Sequence, residues 1–189
     1  DMSTKAVLYR RGSILEGGLL ELKILLCPDS FKGSLSSHKV CNAIKRGFLR
    51  CTHKVEIVEK PVADGGEGTI EALYYGLGGR LVKTEITGPL WEKVNAQYLI
   101  LDDQKTAIIE MAQAAGLTLV PIQKRNPRYT TTFGVGELVN NAVKNGCKKV
   151  ILAIGGSATN DGGMGALAAL GVKFYDENQK LLPGMGENL

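Results

Sequence analysis

The chain has 189 residues, 44% hydrophobic and 22% charged, with a formal net charge of +4, a composition that excludes an intrinsically disordered protein. No apolar run approaches the roughly 20 residues of a transmembrane helix, and no basic stretch carries interleaved aromatic residues. We therefore expect neither a membrane nor a nucleic acid as partner.

The first 21 residues are predicted to lie outside the fold. They have no clean hydrophobic period and no apolar segment with a small-residue cleavage site, which argues against a secretory signal. Residues 22–27 (LKILLC) then form a compact apolar run that is typical of a buried strand. We interpret residues 1–21 as a leader, and an additional N-terminal arm is the alternative.

The next segment alternates strands and helices. Apolar residues recur every three or four positions in residues 38–50, which predicts a helix, and residues 55–58 predict a second strand. A glycine-rich loop leads into a helix at 69–77 that Gly78 terminates. The order strand, helix, strand, helix is typical of a parallel sheet with crossover helices.

The middle of the chain has a different pattern. Residues 80–101 alternate apolar and polar side chains around a Gly-Pro turn, which predicts an antiparallel strand pair. A strand at 107–109 and a short helix at 111–115 follow. We place a domain boundary near residue 80, which divides the chain into units 22–80 and 81–189.

The last third returns to strand and helix alternation. A helix is predicted at 133–145, a buried strand at 149–154 (KVILAI) and a second helix at 166–170. The four cysteines show no C-x-x-C spacing, and the two histidines lie outside any metal-binding spacing. This indicates reduced thiols in a cytoplasmic protein and excludes a zinc site or a Ser-His-Asp triad.

Three loops combine glycine, small hydroxyl residues and an acid, and each is predicted to follow a strand and precede a helix. Helix N-termini bind anions, and glycine lets the backbone approach them closely. The acids of these loops fit a phosphate site if Mg²⁺ lies between them and the phosphates, or if one accepts a proton. Lys32 would supply positive charge. The loops therefore predict a phosphate-handling enzyme, and the acids are Asp29, Asp64, Glu67 and Asp161.

Each loop also has a simpler interpretation. The glycines can form tight turns, Asp64 or Glu67 can cap the helix that follows, and Lys32 can be a solvent-exposed lysine. No G-x-x-x-x-G-K-[ST] sequence is present, so the chain is not a P-loop protein. Residues 163–168 fit a dinucleotide-binding pattern formally, but no acid follows about 20 residues later, and we discount it.

At this point the sequence resembles the bacterial glycerate kinase family of type 1, from Leu22 to the last residue. The resemblance rests on blocks in the family's order, namely 29–35 (DSFKGSL), 63–69 (ADGGEGT), 109–112 (IEMA), 126–127 (NP), 130–138 (TTTFGVGEL) and 155–163 (GGSATNDGG). It implies transfer of the ATP γ-phosphoryl group to a hydroxyl of (R)-glycerate with Mg²⁺, giving 2-phosphoglycerate or 3-phosphoglycerate and ADP. The implied fold is α/β, with a Rossmann- or flavodoxin-like parallel-sheet domain, a second inserted α/β domain, and the active site in the cleft between them.

The resemblance also implies roles for individual residues. Asp64 is the first choice for proton transfer or Mg²⁺ binding, Glu67 is a second metal ligand, Asp161 is the second candidate base, and Lys32 is catalytic. Arg128 and Thr131 would bind the substrate carboxylate. The residues implied to contact phosphate or substrate are Ser30, Ser34, Gly65, Gly66, Gly155, Gly156, Ser157 and Asn160.

Two departures from the family pattern leave alternatives open. Trp91 stands where the family usually has glycine, and family members are about twice as long as this chain. The chain is then either a glycerate kinase or a catalytically incompetent N-terminal fragment of one that at most binds nucleotide. A kinase for another small hydroxy acid on the same scaffold is a further alternative. The oligomeric state stays open, with a dimer as one option.

Overall fold

A computed structural model describes residues 6–9, 22–31, 34–51 and 55–189 of the chain. Within these ranges the protein is a mixed α/β structure with two main sheets and a short third one. The strands are β1 (Ala6–Tyr9), β2 (Leu22–Leu26), β3 (Val55–Glu59), β4 (Arg80–Thr87), β5 (Lys93–Ile100), β6 (Thr106–Glu110), β7 (Lys149–Ala153), β8 (Phe174–Tyr175) and β9 (Leu181–Leu182).

The helices match the predicted positions within a few residues, because their apolar spacing and glycine stops are local signals. None of the described helices is long and apolar enough to cross a membrane. The α-helices are α1 (Ser37–Cys51), α2 (Thr69–Leu77), α3 (Ala112–Ala115), α4 (Phe133–Lys144) and α5 (Met164–Ala169), and the 3₁₀ turns are Leu117–Leu119, Ile122–Lys124 and Gly186–Asn188.

The first sheet has the strand order β1-β2-β3. β2 and β3 are parallel, as the strand and helix order predicts, and β1 is antiparallel to β2. Residues 1–21 were expected outside the fold, whereas Ala6–Tyr9 pair with the otherwise open edge of β2. The rest of that segment lies outside the described residues.

The second sheet has the order β4-β5-β6-β7 and contains the larger core. β4 and β5 form the predicted antiparallel pair, and β6 is parallel to β7. One face packs against α3 and α4 through residues such as Ile109 and Leu138, and the other face packs against α2 through Ile70 and Ile108. α2 precedes the boundary predicted near residue 80, yet it packs against the second sheet, which lies after that boundary.

The prediction that residues 149–154 form a buried strand is wrong in its burial. β7 forms as a strand, but its Ile151 and Leu152 side chains are 43% and 41% exposed. Along the described part of the chain, β7 has β6 as its single strand neighbour and is an edge strand. Its apolar side chains on both faces are typical of an interior parallel strand.

Candidate active site

The loop between β3 and α2 folds around its own acid. The Asp64 Oδ1 accepts a hydrogen bond from the Gly66 N–H at 2.8 Å, and the Thr69 hydroxyl donates to the Gly66 carbonyl at 2.7 Å. Gly65 and Gly68 both have φ of 89°, a conformation that favours glycine. The loop therefore buries Gly66 and displays the Asp64 side chain at the surface.

The loop after β7 lies directly against this loop. The Gly155 N–H donates to the Gly65 carbonyl at 2.8 Å, and a Cβ added to Gly155 would lie 2.7 Å from the Gly66 Cα and N atoms. The Leu117 N–H donates to the Gly156 carbonyl at 2.9 Å. Two of the three predicted loops thus meet through backbone atoms, which bulkier residues would hold apart.

Gly65 and Gly66, which were predicted to contact phosphate, both take part in hydrogen bonds of these loops. The Gly65 carbonyl accepts a hydrogen bond from Gly155, and the Gly66 N–H is used by Asp64. The pair therefore joins the two loops and fixes the Asp64 side chain.

Glu110 belongs to this region, although sequence reasoning did not select it as a site residue. Its carboxylate is 1% exposed and accepts hydrogen bonds from the Gly68 and Ile70 N–H groups, each at 3.2 Å. Burial raises the pKa of the Glu110 carboxyl above its ordinary value, and the two N–H groups oppose that shift. The signal in the sequence is an acid directly after a fully apolar strand core, at the end of β6.

Asp64 and Glu67 supply oxygen ligands of the kind that Mg²⁺ prefers. The Glu67 Oε1 already accepts a hydrogen bond from the Thr118 hydroxyl at 2.5 Å. No group of three or more metal-ligating side chains occurs in the described ranges. Mg²⁺ commonly takes one or two carboxylates together with substrate phosphates and water, so this donor set fits Mg²⁺ that arrives with a nucleotide.

Asp161 is turned into the protein. Asp161 is 2% exposed. Its Oδ2 accepts hydrogen bonds from the Thr132 N–H and the Thr132 hydroxyl, both at 2.8 Å, and from the Gly165 N–H at 3.1 Å. Its Oδ1 accepts a hydrogen bond from the Gly163 N–H at 3.0 Å. The carboxylate joins the N-termini of α4 and α5. This structural role was not predicted.

The two residues predicted to bind the substrate carboxylate are also engaged elsewhere. Thr131 is fully buried, where its hydroxyl donates to the Gly184 carbonyl and accepts from the Phe133 N–H. The exposed Arg128 guanidinium lies 3.6 Å from the Glu187 carboxylate.

The first predicted loop begins beside the second, since the Val62 N–H donates to the Pro28 carbonyl at 3.1 Å. The Ser30 N–H donates to Asp29 at 2.6 Å, and Ser34 is exposed. Lys32, the predicted catalytic cation, lies outside the described residues.

The remaining predicted phosphate residues follow β7. The Ser157 hydroxyl donates to the Thr159 carbonyl at 3.1 Å, while Asn160 is exposed. Gly156 has φ of 74° and is also exposed. They belong to the loop that meets the Asp64 loop at Gly155.

A family model and individual relatives identify the same family for this chain. The model of the glycerate kinase family matches residues 24–189. Glycerate kinase of Bacillus cereus is 48% identical over 168 residues, which are 89% of this chain and 44% of that protein. Glycerate 2-kinase of Escherichia coli is 51% identical over 157 residues, which are 83% of this chain and 41% of that protein. This chain thus spans less than half the length of these relatives.

A solved structure supports the same relationship. A crystal structure from Salmonella typhimurium LT2, described as a candidate glycerate kinase 2, superposes with a TM-score of 0.76 at 44% sequence identity. The match covers 88% of this chain and 44% of that protein. The shared fold therefore includes nearly all of the chain.

Proposed function

The chain belongs to the glycerate kinase family, and from this premise we propose that it carries part of the site that transfers the γ-phosphoryl group of ATP to a hydroxyl of (R)-glycerate. The observation that carries the proposal is the contact between Gly66 and Gly155, which brings the Asp64 loop against the loop after β7. The products are phosphoglycerate and ADP. The name of the Escherichia coli relative favours the 2-hydroxyl.

We assign the proton transfer to Asp64. Its carboxylate is displayed at the surface, on the loop that meets the loop after β7, whereas Asp161 is buried and accepts four hydrogen bonds. As the glycerate oxygen forms its bond to phosphorus and the bond to the ADP oxygen breaks, the hydroxyl proton passes to Asp64. Positioning and charge then account for most of the rate acceleration.

The loop after β7 would hold the phosphates. Gly156 and Asn160 are exposed there, and Gly155 and Ser157 are partly exposed beside them. Glu67 lies three residues from Asp64 and would hold Mg²⁺ together with phosphate oxygens. Bound Mg²⁺ would supply positive charge to the transferring phosphoryl group.

Phosphorus NMR of the chain with ATP, Mg²⁺ and D-glycerate tests the proposal. We expect a phosphoglycerate signal whose chemical shift identifies the hydroxyl used. Asp64→Asn should lower kcat at least 10²-fold, as expected for a lost general base. Glu71→Gln, which changes an exposed acid in the first turn of α2, is the matched control and should leave turnover unchanged.

The second candidate is a chain that binds nucleotide without transfer, which the partial coverage of the relatives favours. Absence of product together with saturable ATP binding would support this candidate. Near-normal turnover of Asp64→Asn would remove Asp64 from the mechanism.

A further inference from the structure

The N-terminus of α2 lacks a local side-chain cap. Its N-cap residue is Gly68, which has no side chain to accept a hydrogen bond. The first N–H groups of a helix have no partner within the helix and need acceptors when they are buried. Thr69 and Ile70, the first two residues of α2, are both buried.

Glu110 supplies the missing acceptors from a distant part of the chain. Its Oε1 accepts from the Gly68 N–H and its Oε2 accepts from the Ile70 N–H, 42 and 40 residues away in sequence. Both carboxylate oxygens are therefore used at one helix end. The partial positive charge of the helix N-terminus compensates the buried negative charge of Glu110.

The position of Glu110 connects this capping to the candidate site. Glu110 is paired in register with Ala153 of β7, two residues before Gly155, and the adjacent Met111 N–H donates to the Ala153 carbonyl at 2.8 Å. Glu110 thus contacts the end of the Asp64 loop through its side chain and pairs through its backbone with the end of β7, which leads to Gly155. Its two hydrogen bonds fix the end of the loop that displays Asp64.

We propose that Glu110 is a positioning residue, which holds the Asp64 loop in register with the loop after β7 and occupies the anion position at the N-terminus of α2. The proposal rests on the proposed function for the role of Asp64. It also assigns the substrate phosphates to the loop after β7, because a phosphate at α2 would meet the Glu110 carboxylate.

Glu110→Ala with added formate tests this role, because a small carboxylate can replace the one removed. We expect amide hydrogen exchange at Gly68 and Ile70 to accelerate at least 10-fold, and formate to restore protection where equal chloride does not. Glu71→Ala is the matched control and should show neither effect. Unchanged exchange at both amides, or exchange that formate leaves unaltered, would overturn the proposal.

A kinetic measurement separates positioning from simple loss of folded protein. With kcat expressed per folded molecule, we expect Glu110→Ala to lower kcat at least 10-fold, formate to recover it, and the KM for ATP to change less than about 3-fold. A higher KM for ATP at unchanged kcat would overturn the proposal. It would also be overturned if inorganic phosphate shifted the Gly68 and Ile70 amide resonances of the unmodified chain.

The exchange and formate measurements need no turnover, so they decide the role of Glu110 even if the unmodified chain transfers no phosphate. Absence of phosphate transfer by the unmodified chain would count against the proposed function alone.

If Glu110→Ala does not fold, Glu110→Gln is measured in its place. Glutamine keeps one acceptor oxygen, so protection should be lost at one of the two amides and retained at the other. Protection retained at both would overturn the proposal.

Discussion

Gly155 and Gly66 touch through backbone atoms, with no room for a side chain between them. A methyl group on Gly155 would lie 2.7 Å from the Gly66 Cα and N atoms, closer than carbon and nitrogen atoms pack in proteins. The two loops can therefore meet because residue 155 is glycine, whereas a Cβ added to Gly66 would lie 3.7 Å from the Gly155 carbonyl carbon, an ordinary contact distance.

Gly155→Ala should separate these loops and destabilise the protein by about 1–3 kcal/mol, the usual cost of overpacking. Urea denaturation measures the change. The control is Gly47→Ala in α1, where an added Cβ meets nothing within 4 Å, and helix propensity there predicts a gain of up to about 1 kcal/mol. Equal stability of the Gly155→Ala protein and the unmodified chain would contradict the contact.

Asp161→Asn should cost about 2–3 kcal/mol of stability, because one amide oxygen cannot accept the hydrogen bonds of a buried carboxylate and the amide N–H groups face other donors. Denaturation followed by circular dichroism measures this loss. A loss of turnover without a loss of stability would instead indicate that Asp161 acts directly on substrate.

Trp91 has φ of 70°, in the left-handed region that favours glycine, and its ring lies 5.5 Å from that of Phe133. We expect Trp91→Gly to be more stable than Trp91→Ala by about 1–2 kcal/mol, because both lose the ring contact and glycine alone adopts this φ without strain. Thermal unfolding of the two variants tests this order, and the reverse order would contradict the left-handed turn.

Asp103 stabilises the turn between β5 and β6 in a pH-dependent way. Hydrogen bonds from the Thr106 hydroxyl and from the Lys105 and Thr106 N–H groups lower the pKa of the Asp103 carboxyl. Its contribution is therefore present above the pKa of the unfolded chain and is lost as the pH falls through the lower, folded value. Asp103→Asn should reduce stability near neutral pH, and the difference from the unmodified chain should shrink in acid. A constant difference from pH 7 to about pH 3 would contradict this account, and Asp102→Asn is the control.

Cys41 is buried against β2, and burial, with smaller contributions from Glu59 and Cys27, raises its pKa to about 11. Because the thiolate is the reactive form, we expect Cys41 to alkylate at pH 8 at least about 10²-fold more slowly than the exposed Cys51. Mass spectrometry of the modified peptides measures both rates. In denaturant the rates should converge, and similar rates in the folded protein would contradict the burial of Cys41.

Much of the architecture could be predicted from local sequence. The apolar spacing of α1, the glycine stops after α2, and the alternation of β4 and β5 depend on neighbouring residues alone, and these elements appear within a few residues of their predicted bounds. The glycine-rich loops were identified for the same reason. Their composition is visible in the sequence wherever the chain later places them.

The tertiary structure decided which groups face one another. Glu110 contacts the N-terminus of α2 across a sequence separation of about 40 residues, and Asp161 contacts Thr132 across 29. Among the described strands β7 lies at the edge of its sheet, although its sequence is typical of an interior strand. An apolar run predicts a strand but not which strands lie beside it. A carboxylate can interact with water, with a metal ion or with a helix N-terminus, and the residue type alone does not decide which. Packing brings distant donors to it, so the sequence alone determined where the acids lie along the chain, and the fold determined that Asp64 faces outward and Asp161 inward.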